Sequence, residues 1–137
     1  MRINIPRLIA AGLAAGVVAN VLDFASGMLM HDEQVAQAQR LNLDPSALET
    51  SFAVWIVVDF VYGLLLAFTY AAIRPRFGPG PKTAVIAGGT LFLAITAILT
   101  GFMSMGMFMQ DVFIRSALLS LVSTLAASLT AGAVYRE

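Results

Sequence analysis

Two carboxylates stand where carboxylates are costly. Asp23 and Asp59 each interrupt a long apolar run. Ionisable groups inside such runs face a protein interior rather than lipid. Two carboxyls that meet can share a proton or hold a cation. Their structural use is interhelical hydrogen bonding with one or both acids protonated, at about 0.6–2 kcal/mol per bond. Both acids sit in the pattern Asp-Phe-x-x-Gly: Asp23-Phe24-Ala25-Ser26-Gly27 and Asp59-Phe60-Val61-Tyr62-Gly63. Val18 and Val54 match at the same offset. This reads either as a chance match or as a faint repeat of opposite membrane orientation, as some transporters use.

Other polar groups fall at similar levels. Asn20 shares a helical face with Asp23 and Gly27, extended by the small residues Gly12 and Gly16. Tyr62 shares one with Asp59, Trp55 and Gly63. Thr96, Thr100 and Ser104 recur every four residues, and Ser116, Ser120 and Ser123 form a stripe with Thr124 and Ala127. The expectation is one polar layer of Asn20, Asp23, Asp59, Tyr62, Thr100, Ser104, Ser116 and Ser120. Arg115 could reach down to it as a counter-charge, snorkel outward, or pair with Asp111.

A second chemistry is suggested by seven methionines and one histidine. Met28, His31, Met105 and Met109 are the candidates, because thioether and imidazole suit Cu(I) and a Met/His pair can hold haem iron. Against this, methionine is flexible apolar filler. Alternation at Met103, Met105, Met107 and Met109 spreads side chains around a helix. The metal assignment is therefore none, and Met103–Met107 reads instead as a loosened helix end. No cysteine is present, so disulfides, thiol catalysis and thiolate metal sites are excluded.

The elements that position these groups follow from composition. The 137 residues are 59% hydrophobic and 12% charged, against about 45–50% apolar and about 25% charged in soluble domains. Mean hydropathy is +0.85. Lys and Arg balance Asp and Glu at eight each, leaving no basic surface for nucleic acid. Spans need about 20 apolar residues, and stretches 6–30, 51–73, 83–109 and 112–134 qualify. The fold expected is all-α: a polytopic membrane protein, one domain over 1–137, with four antiparallel transmembrane helices. Arg2 and Arg7 before an apolar run resemble a secretory signal, but Asn20 and Asp23 break that run, so an uncleaved first span is expected.

Arg2, Arg7, Arg74, Arg76, Lys82 and Arg136 lie on one side of this arrangement, Arg40 and Arg115 on the other. That bias puts both termini in the cytoplasm of a bacterial plasma membrane. With the first span running outward and the second inward, Asp23 and Asp59 both fall roughly 10–12 Å below the outer boundary. Residues 31–42 are expected to form a short interfacial helix. Asp44-Pro45, or a Ser46-to-Glu49 capping box, would start the next helix. The link Arg74–Lys82, with its prolines and glycines, is expected to be non-helical, with Arg74, Arg76 and Lys82 meeting headgroups. Only Gln110-Asp111 is expected to separate the last two spans.

The strings VVANVLDF (Val17–Phe24), VVDFVYG (Val57–Gly63), TYA (Thr69–Ala71) and IRPRFGPGPKTA (Ile73–Ala84) resemble segments of small bacterial four-helix integral membrane proteins with no assigned activity. The resemblance covers the first two spans and their link. It implies four spans, a bacterial source and nothing catalytic.

Three functions compete, and the first is the one expected. The first is an accessory or structural membrane protein, oligomeric or part of a larger complex. The second is a small proton- or cation-coupled transporter or channel built on Asp23 and Asp59. The third, weaker, is a binder of a hydrophobic ligand, haem or copper using Trp55, Tyr62, Tyr70 and the phenylalanines. Catalytic constellations are missing, so no enzyme is expected.

Overall fold

The first apolar run starts a helix because its end is capped. In the computed structural model, which describes residues 3–44, 46, 49 and 51–135, the Asn4 side chain accepts the Arg7 N–H at 3.2 Å. Pro6 follows in the first turn, where no N–H partner is needed. Helix α1 spans Ile5–Leu29. Helix α2 (His31–Arg40) follows after Met30 alone. Then come α3 (Phe52–Phe77), α4 (Pro81–Ser104) and α5 (Gln110–Val134). Among the described residues there are five helices and no strand. Helices α1, α3, α4 and α5 have 24 to 26 residues. At about 1.5 Å per residue, each exceeds the roughly 30 Å of bilayer hydrocarbon. All four are apolar enough to cross a membrane, so this is a multi-pass membrane protein.

Packing runs inside out relative to a water-soluble bundle. Helix α1 buries Ala11, Gly12, Ala15, Gly16 and Ala19, while Leu13, Val17, Val21 and Phe24 point outward. Helix α5 buries Ser123, Thr124, Ala127, Ser128 and Ala131. In lipid, apolar side chains gain nothing by hiding from their surroundings, so helices associate where small residues let backbones approach. A Cβ added at Gly63 would lie 2.4 Å from the Gly12 carbonyl oxygen, and one at Gly16 would lie 2.9 Å from Phe60 Cα. These contacts climb α1 as they descend α3, so the pair is antiparallel. Ser128 Oγ donates to the Ala84 carbonyl at 2.6 Å, and Gly88 faces Ser128, joining α4 to α5.

Several boundaries differ from expectation. The 74–82 link is mostly helical: α3 continues through Pro75 to Phe77, and Pro81 opens α4. A proline near a helix end removes one backbone bond, and a proline in the first turn removes none. Gly78 and Gly80, at φ 82° and 125°, make the turn. The Gly80 N–H donates to the Tyr70 hydroxyl at 3.0 Å, and Thr83 Oγ1 donates to the Gly78 carbonyl at 2.6 Å. The third span stops at Ser104 rather than 109. Gly106 (φ 81°) donates to Met103 at 2.9 Å, and Met107 to Phe102 at 3.2 Å. That double bond with a left-handed residue is a Schellman end. Asn42 (φ 54°) ends α2 the same way, with Asn42 bonding Gln39 and Leu43 bonding Ala38. Gln110 and Asp111 belong to α5, and Met105–Met109 forms the link. The expected helix start at Asp44-Pro45 involves Pro45, Ala47, Leu48 and Thr50, which lie outside the described residues, as do Arg2 and Arg136.

Candidate functional site

Asp23 on α1 and Asp59 on α3 come together. The α1–α3 crossing at Gly12, Gly16 and Gly63 sets their registers, and the two carboxyls lie near each other at the wall of one cavity. Asp23 lies near buried Ser123 of α5. Asp59 is buried, with 8% of its surface exposed, whereas Asp23 is exposed. Asn20, one turn before Asp23, fixes the register from above: its Nδ2 donates to the Gly16 carbonyl at 2.9 Å and to the Ile56 carbonyl of α3 at 3.3 Å. Tyr62, one turn past Asp59, pairs its hydroxyl with Thr124 Oγ1 at 3.2 Å.

The acids line an open cavity of about 710 Å³, within the roughly 300–1,000 Å³ of small-molecule sites. Helix α1 contributes Asn20, Asp23, Phe24, Gly27 and Met28, and α2 contributes His31 and Gln34. Helix α3 and the residues before it contribute Glu49, Ser51, Phe52, Trp55, Ile56 and Asp59. Phe24 and Phe52 meet edge to face at 5.6 Å. Among the described lining residues there is no Lys or Arg.

The expected polar layer is only partly assembled. Asn20, Asp23 and Asp59 line one cavity, and Tyr62 lies a turn past Asp59, paired with Thr124. Ser116 lies further out, its Oγ 3.5 Å from the sulfur of buried Met30. Thr100, Ser104 and Ser120 do not join. Thr100 and Ser104 are exposed and bond back to Thr96 and Gly101 on their own helix, and Ser120 is exposed. The reason is where α4 can approach. Its buried residues are Thr83, Ala84, Ala87 and Gly88. Leu93, Ile95, Ile98 and Phe102 beyond them are large and exposed. Ser123 and Thr124 supply the polar contacts instead. Their signal was in the sequence, because they continue the small-residue stripe toward Ala127 and Ser128.

The remaining candidates disperse. Met28 and His31 line the cavity. Met105 is 75% exposed in the link after α4. Met109 follows in the same link, its N–H donating to Gln37 Oε1 at 3.0 Å. No group of three or more His, Asp or Glu gathers to hold a metal among the described residues. Arg115, 63% exposed, reaches outward rather than down to the acids, and its partner is Glu33 of α2 at 2.9 Å. Arg74 is half-buried, its guanidinium 5.8 Å from the Tyr135 ring centroid, while Arg76 and Lys82 are exposed. The two Asp-Phe-x-x-Gly segments are placed differently: Gly63 sits at the helix crossing, whereas Gly27 has open space around it. No known family, characterised protein or solved structure matches this chain.

Proposed function

We propose that this chain is a small ion-handling membrane protein in which Asp23 and Asp59 share one proton and exchange it for a cation. The observation that carries this reading is the meeting of two acids from different apolar helices at the wall of an open cavity. Two neighbouring carboxyls can share one proton between them. A cation arriving beside them can replace that proton, and the exposed position of Asp23 gives it a route in. Arg7, Arg74, Arg76 and Lys82 cluster at the helix ends remote from the cavity. Under the rule that cationic flanks stay cytoplasmic, the cavity lies in the outer half of a plasma membrane, with both termini inside. A bacterial inner membrane is the setting we favour. The role is one of binding and translocation rather than catalysis.

The test is proton or cation movement by purified protein in liposomes carrying an internal pH dye. Wild type should move ions, and Asp59→Asn should stop the movement. A silent wild type would end this reading.

A second reading, an accessory subunit or homo-oligomer, is favoured by α4. Its packing is concentrated between Thr83 and Gly88, and the following turns present apolar side chains outward. A fixed stoichiometric partner after mild purification would support it.

A further inference from the structure

We infer that the cavity beside Asp23 and Asp59 binds a lipophilic organic cation, one delocalised positive charge on an apolar body of small-molecule size. This rests on the ion-exchange reading above and names its ion. Three properties of the lining select this chemistry. The first is charge. Asp23, Asp59 and Glu49 are acidic, and no Lys or Arg is among the described lining residues. An anion would meet like charge, and a neutral molecule would leave the acids without compensation.

The second property is surface. Phe24, Phe52 and Trp55 form an aromatic wall, with Phe24 and Phe52 already edge to face. Trp55 is 61% exposed, so its ring is open to contact. Aromatic faces attract organic cations, tryptophan most strongly. They cannot replace the oxygen shell that a hard metal ion demands. The third is size. At about 710 Å³ the cavity far exceeds a bare ion and suits a drug-sized molecule.

Trp55 is the only tryptophan, so its emission reports on the cavity directly. The experiment titrates protein in an uncharged maltoside detergent with tetraphenylphosphonium and, separately, with tetraphenylborate. The two ions match in shape and oppose in charge. Tetraphenylphosphonium should shift Trp55 emission saturably, and calorimetry should give the same affinity. Asp23→Asn and Asp59→Asn should each weaken binding about tenfold, equivalent to about 1.4 kcal/mol. Thr100→Ala, away from the cavity, should bind as wild type does. Asp23 is exposed, so its variant keeps the test usable if Asp59→Asn folds poorly. An equal response to both ions would mean partition into apolar surface and would overturn the inference. So would the lack of any saturable response. If tetraphenylphosphonium fails while liposomes still show Asp59-dependent ion movement, the ligand class alone falls. If both fail, the ion-exchange reading falls with it.

Discussion

Asp23 and Asp59 bring their carboxyl groups to the wall of one cavity from either side of the α1–α3 crossing, one exposed and the other almost enclosed. The asymmetry matters. The enclosed acid is fixed by the helix packing around it. The exposed acid can exchange with whatever fills the cavity. An antiparallel pair of helices locked by glycines turns two distant sequence positions into one site.

The contact between the acids should appear as energetic coupling. In a double-mutant cycle on thermal unfolding in detergent, Asp23→Ala and Asp59→Ala should couple by about 0.6–2 kcal/mol, the range for polar contacts between membrane helices. Asp59→Ala with Ser120→Ala should be additive, because Ser120 faces away from the site. Additivity of the first pair would show that the carboxyls do not meet.

Glycine positions make a sharper test of the crossing itself. Gly63→Ala would force a methyl against the backbone of Gly12 and Gly16. Neither backbone can rotate away as a side chain could. A loss of about 1–3 kcal/mol is expected, together with weaker tetraphenylphosphonium binding as the acids separate. Gly27→Ala has nothing within 4 Å to strike and should leave thermal stability unchanged. Equal stability for both variants would contradict the close approach.

The sequence made the spans legible because period and apolarity are local properties. The placing of both acids beside one cavity was legible too, since depth follows from residue count along opposed helices. What escaped were features set by where backbones approach. Thr100 and Ser104 have the right spacing, but the buried residues of α4 end at Gly88, and the helix presents them elsewhere. Pro75 and Pro81 read as breakers, yet their places near helix ends made them harmless. Gly106 and Asn42 ended helices through left-handed backbone conformations, a signal that apolar periodicity does not carry. The partner of Arg115 depended on α2 folding back toward α5, which no local pattern encodes.

At the end remote from the cavity, Tyr135 ties three segments together. It is 1% exposed, its hydroxyl accepts the Asn4 N–H at 3.2 Å, and its ring meets Tyr70 edge to face at 6.1 Å. Tyr135→Phe loses only the hydroxyl bond and should cost about 0.5–1.5 kcal/mol. Tyr135→Ala leaves a void and should cost about 3–5 kcal/mol. Thermal unfolding in detergent separates the two. A full-sized loss from Tyr135→Phe would assign the stability to the hydroxyl rather than the ring.

Outside the spans, Asp44 accepts the Ser46 N–H at 2.9 Å. That bond favours the ionised form and holds the carboxyl below its usual range. A carboxylate with a lowered folded-state pKa contributes stability above its ordinary pKa and loses it as pH falls through the folded value. Amide exchange at Ser46 should therefore show protection, relative to the Asp44→Ala variant, at neutral pH. That relative protection should fade only below the ordinary carboxylate range. Protection that fades near neutrality would point to another group.

The pairing of Arg115 with Glu33 joins α2 to α5 on one side, while α2 lends His31 and Gln34 to the cavity on the other. Their side chains are 63% and 30% exposed, so water and salt screen the attraction. Exposed pairs are worth about 0.2–1 kcal/mol. Glu33→Gln should barely move the thermal midpoint. Its effect should be local, on how often α2 lifts from α5. The Met109 N–H, bonded to Gln37 of α2, reports that lifting through amide exchange. Exchange there should quicken in Glu33→Gln, quicken equally in Arg115→Gln, and gain nothing further in the double variant. High salt should quicken wild type toward the variants and leave the variants unchanged, because only the intact pair has an attraction to screen. If salt accelerated all of them alike, α2 would be held by Gln37 and Met30 contacts, and the ion pair would be incidental.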